Sequence, residues 1–151
     1  MAGESYNRPP QGRIIVRGEP LYLAEKTLTE SAKAGMLVAI DGNDYKAKKC
    51  TSAAKPVGWI GYEDTDCKIR PTDFETPFPT DSHVAVVAGG NFELYALATG
   101  ALTIVAGDLL SSNGDGTLTL AAAGAEAVGI ACESKTIAAG AVERIHVKTL
   151  I

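Results

Sequence analysis

The chain has 151 residues, 46% of them hydrophobic and 21% charged, and a formal net charge of −4. That is the length of one domain with material for a real core, and no apolar run approaches the ~20 residues that a membrane-crossing helix needs. Residues 1–17 hold Arg8, Arg13 and Arg17 against Glu4, a net of +2, while the remainder is −6; an acidic body with a basic arm excludes a general nucleic-acid binder, whose basic face should lie on the body.

Met1 to Gly12 is polar and carries Pro9-Pro10, so residues 1–12 read as an extended arm with too little apolar surface to fold alone. The domain proper runs over residues 13–151. It opens with three β-branched residues in a row, Ile14, Ile15 and Val16, the first strand, which Pro20 ends. Leu21 to Ala24 is the next short strand, and Thr27 to Ala34 has room for one helical turn. Met36 to Ile40 and Asp44 to Lys48 flank Asp41-Gly42 as a hairpin. Pro56 to Glu63 is a strand holding the lone Trp59. From Glu63 to Ser82 the alternation fails: charges and then Pro71, Pro77 and Pro79 mark a long surface loop.

His83 to Ala88 is β-rich, and Gly89-Gly90-Asn91 reads as a hairpin turn from which Phe92 to Ala98 pairs back, with Phe92, Leu94 and Ala96 on one face. Gly107-Asp108 leads into Leu109-Leu110. Asn113-Gly114-Asp115-Gly116 supplies the positive φ angles of a tight turn before Thr117 to Leu120. Alanines between Leu120 and Ala127 favour helix, with Gly124 against it. Val128 to Cys132 and Val142 to Val147 complete about eleven short strands, an all-β barrel or sandwich.

The chain repeats itself. Ala34-Gly35-Met36-Leu37-Val38 matches Ala106-Gly107-Asp108-Leu109-Leu110, an offset of 72 (107 − 35). Pro56 to Gly61 matches Ala127 to Ala131 at an offset of 71 (129 − 58), and Leu21 to Ala24 falls opposite Glu93 to Ala96 at 72 (93 − 21). Two copies are too few for a solenoid and imply a pseudo-duplicated β-structure.

Little in the chain points to catalysis. His83 and His146 both fall on strands, and no HExxH, GxSxG or phosphate-binding loop is present. Asp108, Asp115 and the Glu63-Asp64-Asp66 group match no calcium loop and read as solvated acids; no metal or cofactor is expected. Lys46 and Lys48 read as guards of a strand edge. Cys50, Cys67 and Cys132 have no CxxC spacing and read as free thiols in a cytosol-like setting. Trimeric dUTP pyrophosphatases are of similar size, and Val57-Gly58-Trp59-Ile60-Gly61-Tyr62 faintly resembles one of their strands, but Trp59-Ile60 fills the place of the catalytic Asp.

With the repeats in place, the chain resembles the head-decoration, or cement, proteins of tailed double-stranded DNA viruses. The resembling residues are Val84 to Gly90, Ile104 to Leu110, Asp115 to Leu118, Ala127 to Ala131, and Val57 to Asp64 with the Pro-rich loop behind it. The resemblance implies a β-tulip-like fold, a homotrimer and the major capsid protein as partner. It implies a place on the outer face of an icosahedral shell after assembly in the host cytoplasm, stabilisation of the mature capsid, and no catalysis, nucleic-acid binding or membrane contact. Within it, Arg8, Pro9, Pro10, Arg13, Ile14, Ile15, Val16 and Arg17 are read as an arm that binds an acidic capsid surface and adds a strand to it. Phe74 and Phe78 are read either as interface anchors or as pins holding their loop to its own core. The alternative class is a β-module for carbohydrate or host-surface attachment, whose aromatic platform would have to come from Trp59, Tyr62, Phe74 and Phe78.

Overall fold

The computed structural model describes residues 13–51, 54–66 and 68–151. Arg8, Pro9, Pro10 and Cys67 lie outside the described residues, which are all-β: they form thirteen strands and no helix. The strands are β1 (Ile15–Arg17), β2 (Tyr22–Leu28), β3 (Leu37–Asp41), β4 (Asn43–Lys49), β5 (Pro56–Ile60), β6 (His83–Ala88) and β7 (Glu93–Thr99). They continue with β8 (Leu102–Ile104), β9 (Leu109–Ser112), β10 (Leu118–Leu120), β11 (Gly129–Ala131), β12 (Lys135–Ile137) and β13 (Val142–Thr149).

The duplication is a pair of barrels with one topology. β2-β4-β3-β5-β6 closes into a ring, and β7-β10-β9-β11-β13 closes through pairing of β13 with β7. In each ring the first two strands are parallel and every other pairing is antiparallel. The register is conserved as well. Leu37 pairs with Trp59 and Val38 with Gly58; at offsets of 72 (109 − 37) and 71 (130 − 59), Leu109 pairs with Ile130 and Leu110 with Gly129. The turn bonds repeat too: Gly35 N–H donates to Ile60 C=O at 2.7 Å, and Gly107 N–H to Ala131 C=O at 2.8 Å. Even the small β8–β12 ribbon has a vestige in the first copy, the isolated bridge between Ala32 and Phe78.

Local chemistry explains the hairpins. Gly42 (φ +84°) turns β3 into β4, and Gly114 and Gly116 (φ +92° and +86°) turn β9 into β10. The Asp115 carboxylate locks the second turn by accepting from the Thr117 N–H at 3.0 Å and from the Thr117 hydroxyl. Residues 120–127 do not form a helix: Gly124 at φ +82° lets Ala122 C=O accept from Ala125 N–H in a single turn.

Three expectations fail here. Phe92 to Ala98 does not pair back onto His83 to Ala88; Gly89, Gly90 and Asn91 all take positive φ and carry the chain out of the first barrel into the second. Nor are Lys46 and Lys48 edge guards, because β4 is paired to β2 on one side and β3 on the other. Thr27 to Ala34 holds the end of β2 and a turn instead of a helical turn.

Burial divides by alternation. Val38, Ala47, Ile60, Val84 and Val86 form one core with Leu28. Their neighbours Leu37, Ala39, Trp59 and Val87 join the core of the second barrel, with Leu94, Ala96, Leu110, Leu118, Ile145 and Val147. So β3, β5 and β6 are buried on both faces, which is why they read as near-continuous apolar runs.

Candidate functional site

The Glu63 to Ser82 loop is packed on its own chain. Phe78 is fully buried and Phe74 nearly so, both in the first barrel's core. Of the two roles read for these rings, the geometry is that of pins; no ring face is free to meet a partner. Phe74 stands edge-on to Tyr62 at 6.1 Å between centroids, and the Tyr62 hydroxyl donates to Pro71 C=O at 2.6 Å. Arg144, from β13 of the other barrel, locks the loop. Its guanidinium bonds Glu75 Oε1 at 2.9 and 3.0 Å, Phe74 C=O at 2.9 Å, Tyr95 C=O at 3.1 Å and Ala34 C=O, and it stacks over Phe74. Burial lowers its pKa from the usual arginine value, and the Glu75 carboxylate opposes that.

The structure also commits half of the predicted capsid arm. Ile14 and Ile15 are buried, and β1 pairs antiparallel with β7 through Ile15↔Leu94 and Arg17↔Glu93. Glu63 clamps the entry: its two carboxylate oxygens accept from Ile14 N–H at 3.0 Å and Ile15 N–H at 2.9 Å, with Arg13 3.7 Å away. A β-branched run has found a free sheet edge within its own chain, so the side chains of Ile14 and Ile15 are core residues. Arg13, Val16 and Arg17 remain exposed.

What the described surface does offer is apolar and concentrated at the start of β2. Leu21 is 84% exposed, and Tyr22 and Leu23 are each 53% exposed. Leu23 lines a shallow hollow with Glu25, Asp64, Asp66, Ile69 and His83. The Asp64 carboxyl is held above the usual carboxylate range by burial and then by Glu63, with Arg13 opposing. The sequence reading placed a strand here but not its exposure, because exposure depends on which neighbouring strands reach it.

The remaining candidates resolve into structural roles. Asp108 accepts from Val105 N–H at 2.9 Å and Asp66 from Lys68 N–H at 2.9 Å, so these acids tie turns. His83 is exposed, 3.5 Å from Glu25. His146 Nε2 lies 2.7 Å from Glu93 Oε1, with Cys132 nearby; these three offer ligand atoms within 4.8 Å of one another. Sequence spacing gave no sign of that group, since only the β7·β13 and β11·β13 registers assemble it. Trp59, Tyr62, Phe74 and Phe78 are all buried, so they form no aromatic platform.

No protein-family model matches the chain, and no curated protein sequence matches it. Among solved structures it is similar to the N base of the head fiber gp8.5 of bacteriophage phi29, with a TM-score of 0.49 and 14% identity, covering 86% of this chain and 98% of that one.

Proposed function

We propose that the chain is a structural protein of a tailed-virus head, a decoration protein that binds the outer capsid surface as a homotrimer and stabilises the mature shell. The sequence resemblance supplies the class. The observation that carries it to a surface is the run Leu21-Tyr22-Leu23, three consecutive apolar side chains at the entry to β2, each at least half exposed. Large apolar side chains exposed together in this way favour a protein–protein contact. The function needs no chemistry: a trimer spanning several capsid subunits gains from multivalency, and whatever binds only the mature lattice stabilises it by mass action.

Co-sedimentation with expanded, empty shells tests the reading, alongside light scattering of the free protein. The expected results are saturable decoration, shells that resist heat better when decorated, and a trimer in solution. A stable monomer that leaves shells undecorated overturns it.

A further inference from the structure

β2 and β7 hold equivalent places in the two barrels, at an offset of 72 (94 − 22). Each is paired along one side for most of its length, β2 by β6 from Tyr22↔Ala88 to Thr27↔His83, and β7 by β13 from Glu93↔Lys148 to Thr99↔Val142. On the other side the copies differ. β7 meets β10 near its end, at Ala98, and β1 at its start, at Glu93 and Leu94. β2 meets β4 near its end, at Thr27 and Leu28, and among the described residues no strand pairs with its start.

At the same offset Glu93 and Leu94 correspond to Leu21, just before β2, and Tyr22, its first residue. In the second barrel β1 covers this place and Leu94 is 0% exposed; in the first, Leu21, Tyr22 and Leu23 stand in solvent. An unpaired strand edge lined by apolar side chains is a template for an added strand. The charge nearby is mainly acidic: Glu19, Glu25, Glu63, Asp64 and Asp66 line the two hollows on either side of Leu23, against Arg13, which is paired with Glu63, and His83, which is beside Glu25.

We propose that the edge of β2 at Leu21–Ala24 is a binding site for an extended segment of the capsid partner. That segment runs antiparallel to β2 and carries an apolar run flanked by basic residues, the chemistry of Arg13-Ile14-Ile15-Val16-Arg17 on β7. The identity of the partner rests on the proposed function; the site itself rests on the unequal edges of two equivalent strands. Main-chain bonds to β2 supply affinity, the apolar side chains cover Leu21 and Leu23, and the flanking cations meet Glu25 and Asp64.

The test uses the full chain and a labelled peptide, acetyl-Gly-Arg-Ile-Ile-Val-Arg-Gly-amide, the sequence of residues 12–18. Fluorescence anisotropy should show salt-sensitive binding below about 1 mM. Leu21→Lys/Leu23→Lys should weaken it at least about tenfold. Glu25→Lys, which leaves the apolar strip intact, should weaken it less. All three positions are exposed, so unchanged thermal melts are expected and are checked first. Equal binding to both variants, or none to the wild type, overturns the proposal. Shell decoration separates the two readings: wild type and Leu21→Lys/Leu23→Lys decorating alike sinks the edge site and leaves the function standing, whereas failure of both with the peptide result intact sinks the function alone. If the double variant instead loses the trimer while still decorating shells, the edge belongs to a second copy and the proposal is wrong.

Discussion

Gly35 and Gly107 occupy the same place in the two barrels, with φ of +86° and +100°, yet their surroundings differ. A Cβ on Gly35 would collide with Arg144 Nη1 and Tyr95 C=O, while one on Gly107 would meet nothing within 4 Å. Gly107→Ala should therefore cost only its left-handed backbone, about 1 kcal/mol. Gly35→Ala adds displacement of the buried guanidinium and should cost about 3 kcal/mol or more. Denaturant melts of the two variants check this; equal losses would mean that Arg144 moves aside freely. Asp115 gives a pH signature. Burial draws its carboxyl upward, but the bonds from Thr117 and Asn113 outweigh that and hold it below the usual range. A carboxyl depressed in the fold contributes stability that is present above its unfolded pKa of about 3.9 and lost as pH falls through the folded value. The stability gap between wild type and Asp115→Asn should thus be largest near neutrality and shrink below about pH 4. A gap independent of pH would show that the charge is not what the turn uses.

At the scale of elements, Phe78→Ala removes a fully buried ring from the first barrel's core and should cost about 3–5 kcal/mol in the free protein. Calorimetry of the undecorated protein is the check, and an unchanged melt would contradict the pinning role. The elements themselves were legible where turn chemistry is local: Asp41-Gly42 and Asn113-Gly114-Asp115-Gly116 announce their hairpins. So was the duplication, because paired glycines recur at matching positions. Gly89-Gly90-Asn91 misled, since the same residues that make a hairpin also make any left-handed turn, and nothing local tells whether the next strand returns or leaves. β12 left little trace because Lys135-Thr136-Ile137 is short and only Ile137 is buried. The long-range partners of the candidate site, Glu63 with Ile14 and Ile15, Arg144 with Phe74 and Glu75, are set by register and barrel packing, which spacing along the chain does not encode.

For the whole molecule, the described residues begin at Arg13, and β1 is part of the second barrel's sheet. Deleting residues 2–12 should leave thermal stability unchanged, whereas deleting 2–17 strips β1 from β7 and removes the buried Ile14 and Ile15. The longer deletion should lower the melting temperature by about 10 °C or more, on the scale of several kcal/mol for two buried side chains. If both truncations melt alike, β1 is not integral to the second barrel. Shell binding then adds a separate comparison: loss of decoration on removing residues 2–12 alone would give the arm a role of its own beyond the edge of β2.

Two rings with one strand order and one register have a kinetic side. While the chain collapses, each half presents the other with strands of acceptable length, direction and pairing pattern, so each is a decoy for its twin. What sorts them is volume and burial: the wholly buried Trp59 stands where the second copy has the smaller, partly exposed Ile130, and the wholly buried Leu37 where it has the exposed Leu109. A β5 placed in the wrong ring would leave its indole in water and a hole where it belongs. Refolding should accordingly throw off strand-exchanged dimers as protein concentration rises, and Trp59→Ile, by erasing the largest difference between the copies, should increase their share in size-exclusion profiles. Divergence between the repeats is in this sense a proofreading device, one that acts before the native state exists.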